Sequence, residues 1–397
     1  MKPVTEDCMP EKTEATVYST QEMAELDRQY YMPAFSRSLA LVRGQGTRVW
    51  DAEGREYLDL VAGIAVCSTG HCHPDVVNAI TSQVQRLIHC SNLYYVPNQG
   101  ELAKKLVEIS GQKKVFLSNS GAEATDAAIK LARVRTGRKK FVAFVHGFHG
   151  RTVGSLAVTH KPGIREPFEP LGIPCTFVEY GDLDALWQVV DADTAGVIVE
   201  PVQGEAGVII PPAGFLEGVR ACCDEKGALM IADEVQTGMG RTGRWFAYQH
   251  TKAVPDIVTF ANGVASGFPV GGIIAREGLE FTKGEHGSTF AGGPVACAAA
   301  LATLGVIGRV LPDVGRKGER FAIGLAKYNP RVIGLMIGIT VGEENCAKVQ
   351  KICLENGVIV NCAGDGNLRL VPPLTIKNEE IDRSVEVING ALGQVML

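Results

Sequence analysis

The runs KFVAFV, AGVIVEPV, ALMIADEV and DIVTFA, between Lys140 and Ala261, are apolar at almost every position. A strand with one face in water alternates apolar and polar residues, whereas a strand covered on both faces has no polar side to show. These runs alternate with segments of helical spacing, among them AEATDAAIKLARVRTG and GFLEGVRACCDEKG. KKVFLSN, ahead of the first of those helices, adds a strand. The chain is therefore expected to adopt an α/β fold around a mainly parallel sheet with helices on both faces.

The flanks read differently. Residues 1–35 give a polar lead-in and a short helix, TQEMAELDRQYY. ALVRGQGTRVWDAEGREYLDL then alternates apolar and polar residues around glycine turns, the pattern of a small antiparallel sheet. PDVVNAITSQVQRLIHC and QGELAKKLVEIS have helical spacing. Beyond residue 310, GLMIGITV, VIVNCAG and NLRLVPPL lie among helices, as in a small α+β domain. A chain of 397 residues is long enough for two domains. The expected division is 1–60 as the N-terminal segment of the small domain, 61–309 as the large domain and 310–397 as the rest of the small one.

A net charge of −5 gives no reason to expect nucleic acid or an anionic membrane as partner. Eleven cysteines in a chain of this length read as reduced, mostly buried thiols of a cytoplasmic protein rather than a disulfide framework. RACCDE lacks metal-ligand spacing, and GHCHPD reads as a turn into a helix, so no metal is expected. Residues 1–16 are polar and mixed in charge, unlike a signal peptide. No apolar run approaches the roughly 18–20 residues of a membrane span.

Ligands of parallel α/β sheets sit beyond the carboxyl ends of the strands. In LSNSGAEATDAAIK, Ser120, Gly121 and Ala122 fall at a helix N-terminus, where free N–H groups suit a phosphate; a Ser120–Glu123 capping box explains the same residues. VAFVHGFHGRT puts Phe148, His149 and Arg151 on a turn, where Phe148 could stack on a flat ligand and Arg151 could clasp a carboxylate. ALMIADEVQTG ends a buried run on Asp233 and Glu234, followed by Gln236. A carboxylate emerging from so apolar a run calls for a cationic partner, and a protonated pyridine nitrogen would serve. Glu200 and Glu205 lie in VIVEPVQGEAG, Ser288 and Thr289 in a glycine-rich loop, and Arg369 in a strand before two prolines.

Taken in order, VWDAEGREYLDLVAGIAV, GHCHPDVV, SNLYY, NSGAEA, FHGRT, EPVQGEAG, IADEVQTGMGRTG, HGSTF and RLVPPL resemble the class III aminotransferases, most of all the acetylornithine and ornithine type. The resemblance spans nearly the whole chain. It implies a fold-type I scaffold with pyridoxal 5′-phosphate in the large domain, a seven-stranded type of sheet, and a homodimer with active sites at the interface. It implies that Ser120, Gly121 and Ala122 hold the cofactor phosphate, Phe148 stacks on the ring, Asp233 keeps the pyridine nitrogen protonated and Gln236 meets the ring's phenolic oxygen. Thr289 would reach the neighbouring subunit's phosphate. Arg151 and Ser288 would contact the amino-acid substrate. Arg369 would take the carboxylate of 2-oxoglutarate, with Glu205 as its partner otherwise.

One position breaks the pattern. The family reads TFAKG, and its lysine forms the Schiff base with the cofactor; here the residues are TFANG, with Asn262 in the catalytic position. An amide nitrogen has a delocalised lone pair and neither bonds the cofactor nor shuttles a proton. Cofactor binding is expected to be non-covalent, and activity to fall by at least about 10²–10⁴. EATDAA in place of EANEAA, Gly293 in place of a common Asn, and a shortened segment near AKYNPRVIGLMIGI are smaller departures. Two readings stay open: an aminotransferase with its lysine substituted, and a catalytically silent homologue that binds cofactor or amino acid in a regulatory role. A lyase, decarboxylase or racemase on this scaffold would also want the lysine.

Overall fold

A computed structural model describes residues 18–396; the first seventeen residues of the polar lead-in lie outside the described residues. The N-terminal sheet pairs β1 Leu41–Gln45, β2 Arg48–Asp51 and β3 Glu56–Asp59 antiparallel, as the alternation predicts.

The central sheet has seven strands: β4 Lys114–Ser118, β5 Lys140–Phe144, β6 Cys175–Val178, β7 Thr194–Val199, β8 Leu229–Asp233, β9 Ile257–Phe260 and β10 Gly271–Ala275. Their order across the sheet is β4-β10-β9-β8-β7-β5-β6. β6, β5, β7, β8 and β9 run parallel, and β10 runs antiparallel to both its neighbours. Every residue of β7 and β8 is buried, which is why these runs carry no alternation. The helix Gly121–Thr136 covers one face through Ala127, Ala128, Leu131 and Ala132, and Phe215–Lys226 covers the other through Val219, Cys222 and Cys223.

Near the C-terminus, β11 Arg331–Ile333, β12 Met336–Thr340, β14 Asn361–Ala363 and β15 Asn367–Leu370 form a third, antiparallel sheet in the order β11-β12-β15-β14. Between them β13, Val358–Ile359, leaves to pair parallel with β3, so the two ends of the chain share one sheet.

Several expectations are corrected. Cys346 and Cys362 form a disulfide, so the cysteines are not all thiols; of the free ones, Cys222, Cys223, Cys297 and Cys353 are buried and Cys72 is exposed. The helix Pro294–Gly324 is long and apolar enough to cross a membrane by length and composition, against the reading that no such run exists. Its apolar face is buried in the core, where Cys297, Ala300, Leu304 and Ile307 pack with Leu102, Leu106 and Phe260. The helix from Pro74 ends at Val84, short of the expected Cys90. GHCHPD does form a turn into that helix, with His73 as its N-cap.

Candidate active site

β7 and β8 end side by side on Val199 and Asp233, and the loop after β5 arrives next to them. Asp233 is almost fully buried. Its Oδ1 accepts from the Thr259 hydroxyl at 2.9 Å and from the Val235 N–H at 3.1 Å. Its Oδ2 lies 2.6 Å from Nδ1 of His149, also buried. Burial pushes the imidazole towards its neutral form, but Asp233 and Glu200 outweigh that, and its pKa is raised above the ordinary value. Glu200 follows β7 and accepts the N–H groups of Phe148 at 3.0 Å and Gly204 at 3.1 Å. Burial lifts its carboxyl to about 7, partly opposed by His149. One buried carboxylate thus ties the turn carrying Phe148 to the loop carrying Glu205.

Glu234 points away from this cluster, as alternation along an extended chain requires. It accepts the Thr237 hydroxyl at 2.5 Å and the N–H groups of Ala247 at 2.9 Å and Tyr248 at 2.8 Å. Its role is to fix the loop that carries Gln236.

The helix Gly121–Thr136 opens beside the same strand end. Ser120 Oγ accepts the Glu123 N–H at 3.2 Å, while the Glu123 carboxylate turns to Asn119, bonding its N–H at 2.9 Å and its side-chain amide at 2.8 Å. Only half of the expected capping box forms. The N–H groups of Gly121 and Ala122 receive no acceptor from the described residues, which leaves two donors on the positive end of a sixteen-residue helix. Gly150, at φ +129°, lets the Phe148 turn approach this end; a Cβ there would lie 2.9 Å from Ala122 Cα.

Arg369 reaches in from β15 and is wholly buried. Its Nη1 donates to the Gly204 carbonyl at 3.0 Å and to Glu205 at 2.7 Å, with Gln236 Oε1 at 3.4 Å. Its Nη2 is buried without a partner, an N–H fork with one prong free. Ser288 Oγ receives Asn119 Nδ2 at 3.2 Å, so its loop lies near the same helix end. Arg151 and Thr289 are exposed and make no hydrogen bond or ion pair with the other candidates among the described residues. These groups fit a flat phosphorylated pyridine: free N–H groups for the phosphate, a buried carboxylate to accept a ring N–H, and an aromatic turn that touches both.

Asn262 opens a short turn after β9. Its Nδ2 donates to the Ile64 carbonyl at 3.0 Å. That carbonyl belongs to an unusual stretch: Ala62, Gly63, Ile64 and Ala65 have φ of 50°, 65°, 63° and 59°. Left-handed backbone costs non-glycine residues about 1–2 kcal/mol each. Asp59 supports the stretch, since its Oδ1 accepts the N–H groups of Val61 at 2.8 Å and Ala62 at 2.9 Å while its Oδ2 meets His71 Nε2 at 2.8 Å. The family resemblance gives no role to His149, Glu200 or this turn, although Glu200, like Asp233, ends a buried apolar run. His149 was legible as a candidate by its place on the FHG turn; VAGIA carries no signal for a left-handed turn.

The profile of the class-III aminotransferases matches residues 31–392. An acetylornithine aminotransferase of Methanosarcina mazei is 49% identical over 92% of this chain and 95% of its own. One of Methanopyrus kandleri is 50% identical over 93% and 98%. Among solved structures, an ornithine aminotransferase of Toxoplasma gondii, whose active site holds pyridoxal phosphate at partial occupancy, superposes with a TM-score of 0.91 at 30% identity, covering 95% of each chain. An acetylornithine aminotransferase of Elizabethkingia anophelis gives 0.85 at 32% identity, covering 95% of this chain and 99% of that one.

Proposed function

The chain belongs to the class III aminotransferases, and from that premise we propose that its site is built to pass the terminal amino group of N-acetylornithine, or a similar ω-amino acid, to 2-oxoglutarate. The observation that carries this reading is the Arg369–Glu205 pair. A fully buried guanidinium closed by a partly exposed carboxylate can present either sign. With Glu205 in place it tolerates an amino acid that brings no α-carboxylate to that end; with Glu205 displaced, Arg369 takes the carboxylate of the keto acid in a two-pronged bond.

Pyridoxal phosphate, when bound, supplies the electron sink for moving the amino group. The N–H groups of Gly121 and Ala122, beside Ser120, would hold its phosphate. Phe148 would stack on the ring, Asp233 would keep the ring nitrogen protonated, and His149 would hold Asp233 in place. Gln236 Nε2 would donate to the phenolic oxygen, and Arg151 and Ser288 would orient the amino acid. Thr289 would act on the phosphate of a second copy. That assignment is supported by an exposed apolar patch around its loop: Ile88, Leu93, Tyr94, Tyr95 and Phe290 are each at least two-thirds exposed. Asn92 ties the patch together by donating to the carbonyls of Ser288 and Ala291 at 3.0 Å each. Exposed apolar side chains of this kind are what a second copy would cover.

Asn262 leaves the site without a covalent hold on the cofactor and without a proton shuttle. Turnover of acetylornithine with 2-oxoglutarate should therefore be slower than that of Asn262→Lys by at least about 10²–10⁴. Normal turnover by the native chain would sink the account of Asn262. An Asn262→Lys variant that binds cofactor yet stays inactive on this pair would sink the substrate assignment.

A further inference from the structure

The amide of Asn262 has a fixed sense. A backbone carbonyl only accepts, so the atom of Asn262 that faces Ile64 O must be the nitrogen. The carbonyl sits in a left-handed turn anchored by Asp59, which accepts the N–H groups of Val61 and Ala62 and meets His71 Nε2. Asn262 is thus held by a rigid partner, and the atom left over is Oδ1. No described residue donates to that oxygen, and the side chain is only half-buried. The position that matches the lysine of TFAKG therefore offers an acceptor in place of a cationic donor.

This changes which form of the cofactor the site prefers. Phosphate, ring and ring-nitrogen contacts are common to the aldehyde and the amine. What differs is the group on the carbon that a lysine would bond. A lysine binds the aldehyde covalently and repels a protonated amine. Asn262 can do neither, and its oxygen can accept from an ammonium but meets only another acceptor in an aldehyde. We propose that Asn262 makes this site select pyridoxamine 5′-phosphate over pyridoxal 5′-phosphate, an inference that rests on the cofactor reading above.

The test is equilibrium binding of the cofactor-free, full-length chain to each compound separately, by calorimetry or dialysis at neutral pH. A hydrogen bond to a charged group predicts that the amine form binds roughly tenfold tighter. Asn262→Leu, similar in size but lacking the acceptor, should bring the ratio near one, and Asn262→Lys should reverse it. A native chain that binds the aldehyde as tightly as the amine, or tighter, overturns the inference while leaving the cofactor site standing. Binding of neither compound overturns the cofactor site and the inference with it.

Discussion

Asp233 and Glu234 are adjacent acids at the end of one strand, and the pleat gives them opposite duties. Asp233 meets His149 and faces the site, whereas Glu234 pins a loop. Sequence showed that two carboxylates left an apolar run; the parity of the strand decides which is functional, and only knowledge of the neighbouring loops sets that parity. His149 was visible as a turn residue, but its partner lies 84 positions away and is revealed only by the fold. His71 gives a pH test at this scale. Its bond to Asp59, aided by Cys67 and opposed by burial, raises it from the ordinary 6.5 to about 10. A raised value means the bond stabilises the fold fully below the ordinary pKa and is lost as pH climbs through the folded one. Native protein should exceed His71→Gln in urea stability near neutral pH, and the gap should shrink as pH rises towards about 10. A gap that is constant across that range would show that His71 is not held as a cation.

At the level of elements, the parallel strands β5, β7, β8 and β9 were legible because burial on both faces leaves a continuous apolar run; the edge strand β6, only partly buried along CTFV, carries no such run. β10 was not. Two glycines open it and weaken its strand signal, yet both are needed for close packing: a Cβ on Gly271 would meet the Ser120 carbonyl at 2.6 Å and one on Gly272 the Phe116 carbonyl at 2.4 Å. The left-handed turn at 62–65 was invisible for a different reason: contacts with Asp59 and Asn262 impose it, and local propensity opposes it. The Phe148 turn supplies the prediction for this scale. Gly150→Ala places a Cβ against Ala122 at a φ of +129°, so it should cost about 1–3 kcal/mol in unfolding free energy and weaken cofactor binding by pushing the turn off the helix end. Unchanged stability and binding would mean that this close approach is dispensable.

For the whole molecule, the ordered motifs from residue 49 to residue 374 made the family legible, and the sheet topology follows it. The disulfide was not legible, because Cys346 and Cys362 are two among eleven cysteines, and pairing depends on a helix and a strand meeting in space. If a second copy of the chain covers the patch around Tyr95 and Phe290, as proposed, native protein should sediment as a dimer and Tyr95→Glu/Phe290→Asp as a monomer with weakened phosphate binding. A native monomer would remove Thr289 from the site. On the proposed reading, a cofactor pocket completed by a second copy of the chain surrounds a position, Asn262, that cannot bond the cofactor. Borohydride reduction after adding pyridoxal phosphate, read by intact mass and peptide mapping, tests it most directly. The native chain should show no adduct in the peptide containing Asn262, and Asn262→Lys should gain one phosphopyridoxyl group on the introduced side chain. A native chain labelled stoichiometrically at a single lysine elsewhere in the pocket, or an Asn262→Lys chain left unlabelled, would contradict the account.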